Sequence, residues 1–315
     1  MNCSRGKPYQ IAKPSFILIL LLLLLAPLVQ LLGSNNPVYQ NSRLELFATH
    51  PASAGLQNTL DILEKRIEDF ELQLGIYPEK RCQIVLIDRA RDYQKLSLGK
   101  AEIVESSAAF YNSEDAKIYV RSIDQVQENY LKLLMHEYLH WFVEDVFIAA
   151  PLWFHEGMAT IYSQQFGYER YLMYIRHSFW GQKGELFRHS FRYPSRKEEW
   201  APFYQFSAMA LRYMEQEYPK AWGEFWGRVS QNYRKGQKSH FGTTFIYSYQ
   251  LSLYDFNQLF ERHSRRQGYL YLFVGINSLI FILLAFSLPI IAYKRKRKMR
   301  ELPDLEMPEE EAGEM

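Results

Sequence analysis

The chain has 315 residues, 37 Lys and Arg against 35 Asp and Glu, and 48% hydrophobic residues. That is a globular composition, and so small a basic excess argues against a surface built for nucleic-acid backbone. Cys3 and Cys82 are the only cysteines and lie far apart, which excludes a disulfide framework and argues against a cysteine metal site.

Residues 1–15 carry Arg5, Lys7 and Lys13, and residues 16–32 are almost wholly apolar. Basic residues ahead of an apolar run describe a signal peptide or a signal anchor. Seventeen residues with Pro27 among them is at the short end for a span. No A-x-A type cleavage site follows, which favours an uncleaved transmembrane anchor. Either reading exports what comes next.

The exported segment is expected to cover residues 36–267. It opens with a loop containing Pro37 and Pro51, around a weakly alternating strand at 44–48. Apolar residues at 56, 60, 63, 67, 70 and 74 mark an amphipathic helix that Gly75 ends. Residues 83–88 read as a short buried strand, and a small helix is expected at 90–98. Residues 107–112 and 117–120 read as two strands joined by the turn Asn112-Ser113-Glu114-Asp115. An edge strand here could pair with an extended peptide.

Next comes His136-Glu137-Tyr138-Leu139-His140. Leu131, Leu134, Met135, Leu139 and Phe142 recur at three- and four-residue steps, so this stretch reads as a helix. Two histidines four apart on a helix lie one turn above each other, and both rings can reach one ion. Glu137, on the adjoining strip, can hold a water at that ion. A catalytic zinc needs a third protein ligand and an open fourth position. Fifteen residues past His140 lies His155-Glu156-Gly157, on a helix that Pro151 begins well. Gly157 inside that helix costs about 1 kcal/mol relative to alanine, which points to a close backbone neighbour. Glu156 and His155 compete as third ligand; they lie about 100° apart round the helix.

HEYLH together with the downstream W-F-H-E-G-M-A resembles the gluzincin metallopeptidases, specifically the peptidase MA-like families related to thermolysin. The likeness is strong over residues 132–160 and faint across 40–262. It implies an α+β thermolysin-like zincin domain: a small mixed sheet plus the active-site helix, then a mostly helical half. It implies Zn2+ held by His136, His140 and Glu156, with Glu137 as general base. It implies an alanine-aromatic edge strand that aligns the peptide, making Ala108, Ala109 and Phe110 candidates for substrate binding. It also implies a transition-state donor from the helical half. Tyr204, at the head of Tyr204-Gln205-Phe206-Ser207, occupies such a place, with His177 and His189 as alternatives. One departure stands out: thermolysin carries an acid one turn after the ligand glutamate, and Thr160 occupies that position.

Residues 167–193 are rich in Tyr, Phe, Trp and Arg without a clear pattern. Helices are expected at 203–217, 221–233 and 254–263. A second apolar run, 269–293, is long enough to span a bilayer. Six basic residues between Lys294 and Arg300 outweigh Arg262, Arg265 and Arg266 on the other flank. Residues 294–315 are therefore expected to be a cytoplasmic tail, acidic and disordered from Glu301 on. The N-terminal charges put residues 1–15 in the cytoplasm as well, if the anchor is uncleaved. The expectation is a peptidase of the plasma or inner membrane, its catalytic domain extracytoplasmic between two transmembrane helices. Its partners would be a peptide or protein substrate and the lipid bilayer, with no nucleic acid. The alternative is an inactive gluzincin-like membrane protein that binds peptide or serves as an assembly scaffold.

Overall fold

A computed structural model of the chain describes residues 36–300, apart from residues 128, 168, 181–184 and 189. The anchor expected at 16–32 and the tail beyond Arg300 lie outside the described residues. The chain divides into two compact units. One takes residues up to Gly167 together with Gly184–Asn257; the other takes Tyr168–Lys183 and the chain from Gln258 on.

The first unit begins with a five-stranded mixed sheet: β1 (Tyr39–Gln40), β2 (Leu44–Phe47), β3 (Cys82–Ile87), β4 (Ala109–Asn112) and β5 (Lys117–Arg121). Its spatial order is β1-β2-β3-β5-β4. β3 runs parallel to β2 and to β5, while β1 and β4 are antiparallel edges. Alternation sets the register: Leu46, Ile84 and Ile118 pair across the sheet, and all three are buried. Parallel neighbours need a crossover, and α1 (Ala54–Leu74) supplies it between β2 and β3. The Ser53 side chain caps its start by accepting from the Leu56 N–H. Gly75, with φ +66°, ends it. The six expected apolar positions of α1 are all buried. Two short helices, α2 (Ala90–Ser97) and α3 (Glu102–Glu105), lead into the β4–β5 hairpin.

Against this layer lies α4 (Tyr130–Val146), capped by Asn129 through the Lys132 N–H at 3.1 Å. It packs on α1, β4 and β5, and on α5 (Leu152–Tyr162). Every residue from Leu133 to Val143 is consequently buried, and the helix is apolar nearly all round. A polar clamp fixes it to α1. The Tyr138 hydroxyl donates to Glu71 Oε1 at 2.9 Å, and Arg43 Nε donates to Glu71 Oε2 at 2.8 Å.

The helical half follows: α6 (Glu169–Trp180), α7 (Glu185–Arg188), α8 (Trp200–Glu217), α9 (Pro219–Tyr233) and α10 (Phe241–Tyr249). A two-residue parallel pair, β6 (Phe147–Ile148) and β7 (Ser239–His240), stitches α4's end to the segment before α10. Phe154, Phe225 and Phe241 gather around Phe147 at ring distances of 5.5–5.6 Å. Phe203, Phe206, Ala210, Tyr213 and Met214, expected on one side of α8, are all buried. The stretch 167–193, patternless in sequence, holds α6 and α7, and α10 was not expected at all.

The last helix, α11 (Leu253–Arg300), corrects another expectation. The short helix at 254–263 and the apolar run at 269–293 are one continuous 48-residue helix, because Gly268 costs too little to break it. It is long and apolar enough to cross a membrane, and none of its apolar window is buried by protein. Its polar side chains bond back to their own backbone: Asn277 to the Phe273 carbonyl and Ser278 to the Val274 carbonyl, each at 2.8 Å. Such internal satisfaction is what a lipid environment demands. Within the second unit, α6 packs on α11 through Tyr171 and Tyr174 against Tyr271, and Phe179 against Tyr269.

Candidate metal centre

The four-residue spacing on α4 stacks His136 above His140, with ring centroids 4.9 Å apart. After Val146 the chain reverses, and α5 returns beside α4. Glu156 Oε2 then lies 3.5 Å from His136 Nε2 and 3.7 Å from His140 Nε2. Zinc bonds of about 2.0–2.1 Å at tetrahedral angles put neighbouring ligand atoms about 3.3 Å apart. The two carboxylate–imidazole distances thus stand within a few tenths of an ångström of that spacing, and the three ligand atoms all lie within 4.8 Å of one another. Glu156 is 1% exposed, and its Oε2 has no hydrogen-bond partner among the described residues. An orphaned buried carboxylate oxygen is costly, and a cation at this point would satisfy it. The donor set fits zinc.

Gly157 is what lets α5 come close enough. A Cβ there would lie 2.7 Å from the Ser207 carbonyl oxygen and 3.2 Å from Leu211 Cβ, both on α8. The expected backbone neighbour is therefore α8.

The groups that hold the ligands come from segments the sequence left blank. The Tyr193 hydroxyl donates to Glu156 Oε1 at 2.6 Å, so Oε2 is the oxygen turned toward the histidines. Gln165 Oε1 lies 3.0 Å from His136 Nδ1. That bond sets the ring so that Nε2 faces the ion site, the arrangement outer partners impose on ligating histidines. Gln165 gets there because α5 ends in a left-handed turn. Gln164 has φ +61°, the Gln165 N–H bonds the Thr160 carbonyl, and the Gln164 N–H bonds the Ile161 carbonyl. Lys132 Nζ grips the Gln164 carbonyl at 2.8 Å, tying the turn to α4 one helical turn before His136. Thr160 is buried and holds no ligand histidine; its Oγ1 has no partner among the described residues.

Glu137 stands against the sheet edge, its Oε2 accepting from the Tyr111 N–H at 2.8 Å. The register explains this. The Ala108 carbonyl accepts from the Arg121 N–H, and Ala109 pairs with Val120. Backbone groups alternate in an antiparallel ladder, so those of Ala109 and Tyr111 face the free edge. Ala109, Phe110, Tyr111 and Ser113 line a cleft of about 360 Å³ together with His136, Glu137, His140 and Glu156. Ala108 sits one residue before β4 and outside that lining. Tyr204 is in the cleft wall, its ring centroid 6.1 Å from that of His136. His155 also lines the cleft, 5.9 Å from the His140 ring, but the groups within ligand range of one another are His136, His140 and Glu156. The side chain of His177 and the whole of His189 lie outside what is described.

Burial opposes a charge on His136, but the Glu156 carboxylate beside it outweighs burial and raises its pKa. Burial likewise works against the Glu156 carboxylate, yet His140 and His136 hold its pKa below the usual carboxylate range. Burial raises Glu137 to about 7 and depresses His140 to about 3 and His155 to about 4. Burial also drives the Tyr193 phenol far above its ordinary value, so it remains a donor to Glu156.

No protein-family model matches the chain, and a search of curated proteins finds no significant relative. The arrangement therefore has to be read from its own chemistry. It offers two imidazoles and one carboxylate in a cleft, a second carboxylate beside them, and the edge of β4 along the cleft wall.

Proposed function

We propose that this chain is a membrane-anchored zinc metallopeptidase of gluzincin type that hydrolyses peptide bonds outside the cytoplasm. The observation that carries the reading is the closure of Glu156 Oε2 onto His136 and His140 at near-tetrahedral spacing. Two imidazoles and a carboxylate suit zinc and leave a fourth position for water, as catalytic sites require. When bound, zinc supplies a Lewis acid that lowers the pKa of a water toward neutrality.

The chain's own groups do the rest. The edge of β4 at Ala109 and Tyr111 receives an extended peptide through the backbone groups not already bonded to Ser107 and Glu137, and lays it across the cleft. Glu137 accepts a proton from the attacking water and delivers it to the departing amine. Tyr204 donates to the oxygen that gains charge on the scissile carbonyl. Tyr193 and Gln165 keep Glu156 and His136 aimed at the ion. The order of elements supports a thermolysin-like zincin: edge strand, histidine helix, glutamate helix, then a helical half. The apolar run of α11 and the basic residues after Tyr293 support a span with a cytoplasmic tail. With an uncleaved anchor at 16–32, both termini would be cytoplasmic and the domain would face outward.

The test is the purified full chain, wild type and Glu137→Gln, given a peptide library whose cuts are mapped by mass spectrometry beside metal analysis. A hydrolase keeps its zinc in the variant and loses turnover by about 10²-fold or more. Cleavage by the variant at the wild-type rate refutes the role of Glu137. A wild-type protein that binds zinc and cuts nothing is instead a peptide-binding or assembly scaffold.

A further inference from the structure

We infer that α6 lies flat in the lipid headgroup layer, as an interfacial collar at the outer end of the membrane span. The inference rests on the reading that the apolar run of α11 crosses a bilayer. Depth comes first. About 20 residues at 1.5 Å each cross a hydrocarbon core of about 30 Å. Counting that far back from Lys294, the first cation after the apolar run, reaches Val274. Tyr271 and Tyr269 stand three and five residues further out, about 5–8 Å above the hydrocarbon edge, within the headgroup layer. Tyrosines are favoured at that level, where one end of the ring is dry and the hydroxyl is wet.

Direction follows from the ring contacts. Tyr171 meets Tyr271 at 4.8 Å and Phe179 meets Tyr269 at 5.5 Å. The two contact points are eight residues apart on α6, about 12 Å along its axis, but two residues apart on α11, about 3 Å. A helix running alongside α11 would advance equally on both. α6 therefore crosses the span, and a helix transverse to a span lies near the membrane plane.

Its surface matches that placement. Leu172 is 61% exposed and Phe179 is 52% exposed, seven residues apart and so on one face. Arg176, also exposed, lies between them and can reach outward to phosphate while its stem stays with the apolar pair. Leu172, and the part of Phe179 that Tyr269 does not cover, have the acyl boundary as their cover on a helix at headgroup depth. The partner is a lipid surface.

Spin-label depth measurement tests this on the full chain in phosphatidylcholine/phosphatidylglycerol nanodiscs, with Cys3→Ser leaving the buried Cys82 as the one other thiol of the sequence. Labels go at Leu172→Cys and Phe179→Cys, at Leu283→Cys in mid-span, and at the exposed Glu224→Cys on α9 as a water reference; retained zinc binding checks the fold of each. The Leu283 label is expected to collide mainly with oxygen and the Glu224 label mainly with the aqueous nickel reagent. The Leu172 and Phe179 labels should fall between them, with an oxygen-to-nickel collision ratio several-fold above that at position 224. Ratios at 172 and 179 equal to that at 224, with 283 in lipid, overturn the collar and leave the span. A water-like ratio at 283 overturns the span itself.

Discussion

Gly157→Ala separates two opposed physical effects at the contact that closes the metal site. By intrinsic propensity, alanine in a helix interior is about 1 kcal/mol better than glycine. By packing it is worse: the new Cβ would sit 2.7 Å from the Ser207 carbonyl oxygen. That is backbone, and it cannot rotate out of the way. Restoring an ordinary contact moves α5 and α8 apart by more than half an ångström, and overpacking of this kind costs about 1–3 kcal/mol. The net expectation is a loss of up to about 2 kcal/mol, or up to roughly 8 °C in Tm for a domain of this size. Because Glu156 precedes Gly157, the same shift pulls Oε2 away from both imidazoles and weakens zinc binding. Gly223→Ala on α9 is the control, since no atom lies within 4 Å of a Cβ there. It should be neutral or stabilising by up to about 1 kcal/mol. Thermal unfolding of the full chain in detergent, with and without zinc, reads stability, and chelator competition reads affinity. If Gly157→Ala melts at or above the wild-type temperature and holds zinc as tightly, the close approach of α5 to α8 is not what positions Glu156.

Tyr193→Phe removes the 2.6 Å bond to Glu156 Oε1 and frees the carboxylate to turn. Zinc affinity should fall about 10–100-fold, measured by chelator competition, with little change in fold; unchanged affinity would mean Tyr193 is mere packing. Zinc binding should also release protons near neutral pH. His136 in the metal-free protein is held above its ordinary value by Glu156, despite burial, and must lose its proton to ligate. Affinity therefore climbs as pH rises toward the raised pKa of His136 and levels off above it. Calorimetry in buffers of different ionisation enthalpy counts the protons, and zero release at pH 6.5 contradicts this account.

Local periodicity made the first half of the fold legible. The apolar stripe of α1, its end at Gly75 and the short apolar run of β3 are each written in adjacent residues; α1 formed where expected and β3 one residue earlier, at Cys82–Ile87. The misses share a cause. α10 reads Phe241-Gly-Thr-Thr-Phe-Ile-Tyr-Ser-Tyr249, a β-prone composition, and burial of Phe241, Phe245 and Tyr249 in the aromatic core overrides that propensity. α6 shows no stripe because apolar residues occur all round it: Tyr174 is buried, while Leu172 and Phe179 are exposed. On α11, the cluster Arg262, Arg265 and Arg266 with Gly268 suggested a break, yet polar residues interrupt an apolar pattern without interrupting a helix.

The candidate metal site divides along the same line. His136 and His140 were legible because a helix turns their spacing into proximity with no other information. Glu156 needed a second helix to come back at one distance, and Gly157 was the local trace of that approach, a residue whose cost only a close neighbour repays. Tyr193 and Gln165 left no trace. They lie 37 and 29 residues from the groups they hold, and the turn that aims Gln165 runs through Gln164 at φ +61°. Left-handed backbone announces itself in sequence when it is glycine. Filled by glutamine and tied down by Lys132, it is invisible until the carbonyl it presents has found its partner.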